Sequence, residues 1–343
     1  MKSVSVQVVE LLFENPLSVL DLYTPQIHDN ITIIPLSFKG KILEFITVKE
    51  AEELGLISIN ETETVSELEI INKSDQEVLI PFGITVSGGK QDRTIWEPIL
   101  LPVGGKQNIF KRNSEHAFQK YKVPAKCVEQ SRWTYKKGKG FKSTATRLHP
   151  NVAFEAISAV GQNAVWNEIQ SYRSEMSYDL DIAPTQSYLE MTEKNEKEIE
   201  KIIKAFNNVE NQCGIAAYIN GEFVGIEFYS NPKAWKSMSS DIIKAFATEA
   251  LRFKDKQFKA IKEDYHDDLC SVLQSLNLNF SVRNGVGLGE VVEFESQDNK
   301  WRGNTLVYEN SLAQFYLVSK RGGSKNIPLQ NYRFQTNIQQ RFI

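Results

Sequence analysis

Cysteine is scarce. Cys127, Cys213 and Cys270 are the only three in 343 residues, and none is spaced from a histidine as zinc ligands are. An odd, scattered set of thiols argues against a disulfide framework and against a metal centre. The four histidines, His28, His116, His149 and His266, are isolated, so each is expected at the surface or in a satisfied polar contact rather than as a ligand. Long apolar runs are missing as well. No stretch approaches the ~18 residues that cross a bilayer, and the opening MKSVSVQVVELLF has one lysine and no small-residue cleavage site. Neither a transmembrane helix nor a signal peptide is expected, and a cytoplasmic, reducing location is the default. Charge of one sign is also lacking. Forty basic against 43 acidic residues leave −3, which gives the whole chain no general affinity for nucleic acid or anionic membrane.

What is present is an ordinary globular composition, 41% hydrophobic and 24% charged, in a chain long enough for two domains. Charge is unevenly placed. Residues 106–147 hold nine Lys and three Arg against Glu115 and Glu129, a balance of +10, and residues 311–343 hold five basic residues and no acid. Basic segments beside turn-rich strands suit a phosphate-bearing ligand.

Short β-rich runs punctuated by Pro and Gly fill the first ~135 residues, the pattern of a sandwich or barrel. The alternation in SVSVQVVELL predicts a strand there, and residues 48–55 predict one helix ending at Gly55. After the Gly/Lys/Ser-rich stretch 138–148 the period changes to helical. Ser187 with Glu190 reads as a capping box, and the charged helix continues through residues 191–206. Asn220-Gly221 between two alternating runs predicts a hairpin. Asn231-Pro232 opens a helix whose buried stripe is Trp235, Met238, Ile242, Phe246 and Ala250, with Glu249 on its solvated flank. Another helix is expected over 257–276, then returning strands. The predicted class is α+β: an N-terminal antiparallel β-sandwich or barrel-like region, then a mixed region of hairpins and packed helices. The expected division is a β-rich domain over 1–148, an α+β domain over 149–320 and a basic tail over 321–343.

Two segments stand out chemically. GGKQDR at 88–93 ends one strand and opens another, and its glycines let backbone amides approach a ligand. The competing reading is a hairpin turn or bulge. GGKQ recurs at 104–107 in ordinary turn composition. CVEQSRW at 127–133 places a carboxylate, a guanidinium and an indole within seven residues, enough for a base, an anion clamp and a stacking plane. The competing reading is an Arg–Glu pair on a sheet beside a core Trp. Cys127 has no adjacent His to activate it. NGVGLGEVVEF at 284–294 runs into a strand instead of a helix, so it is not read as a dinucleotide fingerprint and no cofactor is expected.

GGKQDR followed by VPAKCVEQSRW at 123–133 resembles the domain family named for its association with ADP-ribosylglycohydrolases and rhodanese-phosphatase proteins. That family carries Gly-x-Lys-Gln-Asn-Arg and then Cys-Val-Glu-x-Gly-Arg-Trp. The hairpin CGIAAYINGEFVGIEFYSN and the block ATEAL at 247–251 are also similar to it, so the likeness spans roughly 5–320. Asp92 stands where Asn is usual and Ser131 where Gly is usual, and the basic connection 106–122 is longer than the family's. The resemblance implies a ligand from NAD and ADP-ribose metabolism. Gly89, Lys90, Gln91, Arg93, Arg132 and Trp133 are the expected ligand-binding residues. Lys90, Arg93 and Arg132 suit a pyrophosphate, Trp133 a purine or nicotinamide face, and Gln91 and Glu129 ribose hydroxyls. On an enzymatic reading Glu129 is the catalytic base. The alternatives are a non-catalytic nucleotide sensor or sponge in a defence or signalling system, and a nucleic-acid-binding protein using the basic segment 106–147.

Overall fold

The Asn220-Gly221 hairpin lies in the middle of the largest sheet. A computed structural model describes residues 2–62, 64–104, 118–132, 140–157, 161–176, 186–254, 262 and 264–321. Asn220 and Gly221 take φ of 52° and 76°, the left-handed values that a two-residue turn between twisted strands requires. The nine-stranded sheet runs Leu20–Leu22, Ile31–Phe38, Gly214–Ile219, Glu222–Tyr229, Ser311–Ser319, Trp301–Tyr308, Glu290–Ser296, Leu278–Asn284, with Gln26–His28 also paired to Ile31–Phe38. Neighbours are antiparallel, and the sheet joins the start of the chain to its later half where Ile31–Phe38 lies beside Gly214–Ile219.

Period-two alternation sends this sheet's side chains into two cores. Ile215, Ala217 and Ile219 join Trp235, Met238, Ile242 and Phe246 of helix Pro232–Arg252. Ala216, Tyr218, Ile226 and Phe228 join the opposite core with Leu269 and Leu273 of helix Tyr265–Ser275. Each Ile, Leu, Met or Phe among them contributes roughly 1.5–3 kcal/mol on burial. The run expected as an N-terminal strand is instead helix Val4–Glu14. Val6, Val9, Leu12 and Phe13 fall on one helical face that joins Leu36 and Phe315, and Ser3 caps the helix by accepting from the Val6 amide at 3.2 Å. The three-and-four spacing prevails over the alternation because the sheet's outer face needs an apolar cover.

Six strands drawn from residues 57–147 close into a barrel. Its order is Lys120–Cys127, Glu67–Asn72, Ile57–Glu61, Gly140–Arg147, Ile84–Gly88 and Arg93–Ile95, the last pairing back on the first. Ile59, Leu68, Ile70, Val86, Ile95 and Val123 are buried in the first core. A small sheet of Ile99–Leu101, Val78–Ile80 and Ile46–Thr47 completes the β structure among the described residues. The architecture is α+β with a barrel in its N-terminal part, as the sequence predicts.

Arg147, at the end of its barrel strand, locks barrel to sheet. Its Nη2 donates to Glu227 at 2.7 Å and to the Phe82 carbonyl at 2.5 Å, and Nη1 donates to the Tyr229 hydroxyl at 3.2 Å. Gln314 closes the loop, donating to Glu227 and accepting from the Phe82 amide, both at 2.8 Å. Burial pushes the Glu227 carboxyl up, and the Arg147 charge opposes that.

Local signals are obeyed elsewhere. Asn231 caps helix Pro232–Arg252 by accepting from the Lys233 amide at 2.9 Å. The charged helix predicted after Ser187 is two helices, Tyr188–Glu193 and Glu196–Ala205. Of the helix predicted over 257–276, Tyr265–Ser275 is described. The glycines of NGVGLG serve packing: the Leu288 amide donates to the Leu100 carbonyl at 2.8 Å, and a Cβ on Gly287 would stand 2.3 Å from that same oxygen. No helix among the described residues is long and apolar enough to cross a membrane.

Candidate functional site

The turn that follows strand Ile84–Gly88 meets the end of strand Lys120–Cys127. Gly88 and Gly89 take φ of 146° and 47°, and a Cβ on Gly88 would stand 2.3 Å from the Gly140 carbonyl, so only glycine lets the barrel close there. The turn brings Gln91, Asp92 and Arg93 against residues 127–132. Gln91 donates to the Glu129 carbonyl at 2.9 Å and accepts from the Cys127 thiol at 3.2 Å. The Asp92 amide donates to Glu129 Oε2 at 2.9 Å. Arg132 turns back over the same carboxylate, its Nε donating at 2.8 and 2.9 Å. Its Nη1 donates to the Gly89 carbonyl at 3.0 Å, and Nη2 donates to the Gly88 carbonyl at 3.3 Å and to Asp92 Oδ1 at 3.2 Å.

Two distant segments therefore converge, as the proposed site requires. They converge on one another. Gln91, Asp92, Arg93 and Glu129 are buried, and the Arg132 side chain is 10% exposed. Arg93 points into the barrel, where it pairs with Glu61, donates to the Glu67 carbonyl at 2.9 Å and lies 5.5 Å from the Phe141 ring centroid. Lys90 is exposed, and its amide donates to Glu61 Oε2 at 2.9 Å. Three carboxylates, Glu61, Asp92 and Glu129, face two guanidiniums. Burial pushes the Cys127 thiol up to about 11, which keeps it a thiol at neutral pH. Trp133 lies outside the described residues, as do 105–117 of the basic connection, three residues of the second GGKQ and the tail beyond Arg321.

The family model of the ARG and Rhodanese-Phosphatase-superfamily-associated Protein domain, ARPP-1, matches residues 19–318. The chain belongs to this family. No curated protein and no solved structure matches it. Within the ARPP-1 span, Asp92 is the hub of the converged site: its side chain accepts from Ser87 at 2.9 Å, from the Gly88 amide at 3.2 Å and from Ser187 at 3.5 Å.

The sequence marks Asp92 only as a departure and Ser187 only as a helix cap, and it gives no sign of Glu61. No local spacing links either to the motifs: barrel closure brings in Glu61, and the bridge between Ser187 and Glu129 brings in the helix cap. The sequence also placed Glu249 on a solvated flank. The structure corrects this: Glu249 is fully buried and pairs with His149 Nδ1, itself fully buried. The signal available was Arg252, one turn beyond Glu249, which sets two charges in the mostly buried last two turns of the helix. Burial alone would raise the Glu249 carboxyl, but His149, Arg252 and the Asn151 amide together hold it below its ordinary value. Tyr188 bridges the two centres, donating to the Arg147 carbonyl at 2.8 Å and accepting from the His149 amide at 2.9 Å. Its own amide reaches the Val128 carbonyl at 2.9 Å. Among the described residues no group of three His, Cys, Asp or Glu is placed to hold a metal ion.

Proposed function

We propose that this protein binds an ADP-ribose-like nucleotide derived from NAD at the turn 88–91, in a cytoplasmic setting. The observation that supports this reading is the meeting of Gly89, Gln91, Glu129 and Arg132 from two motifs about 40 residues apart, in a chain of the ARPP-1 family. In this reading Lys90 and the outer edge of Arg132 meet the pyrophosphate, Trp133 stacks on a base, and buried Arg93 holds the barrel closed beneath them. Glu129 orients Arg132. It becomes a general base only on releasing one of its two engaged oxygens.

That engagement favours binding without turnover as the second reading, a sensor or sponge in a defence or signalling system. Calorimetry with ADP-ribose, NAD and cyclic ADP-ribose tests binding. Lys90→Glu, at an exposed position, is expected to weaken affinity at least tenfold with an unchanged melting temperature. Absence of binding to all three nucleotides by the wild type refutes the proposal. Incubation followed by mass analysis separates the two readings, since intact ligand means binding alone.

A further inference from the structure

A second polar centre lies where helix Pro232–Arg252 meets the residues just after strand Gly140–Arg147. Glu249 Oε2 is engaged by His149 and by the Asn151 amide at 3.3 Å, but buried Oε1 accepts no hydrogen bond. The neighbouring cation, Arg252 Nη1, is 3.7 Å away and is committed to Glu168 at 2.6 Å, while the same guanidinium's Nε holds Glu175 at 2.9 Å. Asn151 also fixes Arg321, donating to its carbonyl at 3.1 Å and accepting from its amide at 3.0 Å. The Arg321 guanidinium lies 4.5 Å from the Phe253 ring centroid and donates through Nη2 to Glu222 at 3.1 Å, leaving Nη1 buried with no acceptor. His149 Nε2 is likewise buried without a partner, and its ring lies 4.6 Å from that of Tyr172. Buried polar atoms are nearly always satisfied, and here three unmet ones sit on residues joined through Glu249 and Asn151.

Charge selects the kind of partner. Glu168, Glu175, Glu222 and Glu249 outnumber Arg252 and Arg321, even with His149 counted as a cation, which disfavours an anion. A cation at Glu249 Oε1 would stand between two guanidiniums. A neutral group that both donates and accepts meets neither objection. We propose that Glu249, Arg321 and His149 bind a vicinal diol of a sugar-like ligand. One hydroxyl accepts from Arg321 Nη1 and donates to Glu249 Oε1, and its neighbour hydrogen-bonds to His149 Nε2. Entry is on the Arg321 side, where the partner Glu222 is 44% exposed. This site is separate from the Arg132 centre and stands whether or not that centre binds a nucleotide.

Ligand-observed NMR titration of the full chain tests it with D-ribose, D-ribose 5-phosphate and 1,2-dideoxyribose, which lacks the vicinal diol. Saturable ribose binding is expected, weakened at least tenfold by added phosphate or by loss of the diol. Arg321→Met is expected to weaken it at least tenfold with the melting temperature retained. Arg321 serves better than Glu249 because its side chain lies nearest the rim. No saturable ribose binding, equal binding of the phosphate, or binding unchanged in Arg321→Met overturns the proposal and leaves ordered water as the missing partner.

Discussion

The Arg132 centre and the His149 centre are both buried ionic clusters, and they differ in what they leave over. At the first, Arg132 spends its donors on Glu129, Asp92 and two turn carbonyls, and Arg93 Nε is left buried without an acceptor. At the second, His149 Nε2, Glu249 Oε1 and Arg321 Nη1 are buried and unmet. The first centre arises from the densest motifs in the sequence, the second from residues scattered over about 170 positions. A dense motif can therefore be a device for closing a barrel, while ligand-ready atoms come from residues that look ordinary in the chain. The difference is energetic too. A satisfied buried network rigidifies, whereas an unmet donor or acceptor costs about 1–3 kcal/mol until something fills it.

Arg252→Met gives the largest expected effect. It strands Glu168, Glu175 and Glu249 without their cation, so urea denaturation should show a loss of about 3–5 kcal/mol. A loss below about 1 kcal/mol would mean that water already solvates these carboxylates and that the second centre is open. Glu129→Gln is milder. The amide keeps an acceptor for the Asp92 N–H but removes one of the charges on Arg132, and roughly 1.5–3 kcal/mol should be lost. A neutral result would break the contrast by showing that the first centre is not held by its charges.

The legible parts of the fold are those set by short-range chemistry. Asn220-Gly221, the Asn231-Pro232 cap and the stripe from Trp235 to Ala250 need only neighbours within a few residues, and all are found as predicted. Helix Val4–Glu14 was not legible because its valines fit both periods, and the choice belongs to the distant sheet face that it covers. The meeting of 88–93 with 127–132 was legible through the family likeness. Its inward orientation was not, because the partner that turns Arg93 inward, Glu61, carries no local mark. Glu249 was misplaced for a related reason: a glutamate beside an apolar stripe looks solvated until His149, about 100 residues away, is set against it.

Acid offers a finer cut between the centres. The folded Glu249 carboxyl titrates below its ordinary 4.5, so its stabilising contribution is present above 4.5 and disappears as pH falls through the lower folded value. Glu249→Gln should be less stable than wild type at neutral pH, and that deficit should shrink on acidification. A deficit that stays constant with pH would assign the loss to packing.

Lys126 makes the smallest and most local test. It precedes Cys127 on the strand that carries the first centre, yet its ammonium is buried beside the Trp96 ring, 5.0 Å from the centroid, and donates to the Ala156 carbonyl at 2.9 Å. Burial pulls its pKa from 10.5 down to about 8, against the opposing pull of Glu293 and Glu155. Between pH 8 and 10.5 the unfolded chain holds a proton that the native protein has released, so this residue makes stability rise with pH across that window. Below pH 8 both states are charged and the native state bears the full desolvation cost. Lys126→Met should therefore stabilise the protein at neutral pH by on the order of 1–3 kcal/mol, less what the lost bond to Ala156 contributes. The advantage should fade toward pH 10.5, as paired denaturation curves would read directly. A difference that does not vary with pH would mean that water reaches the ammonium, and that the strand entering the first centre is wetter than its burial implies.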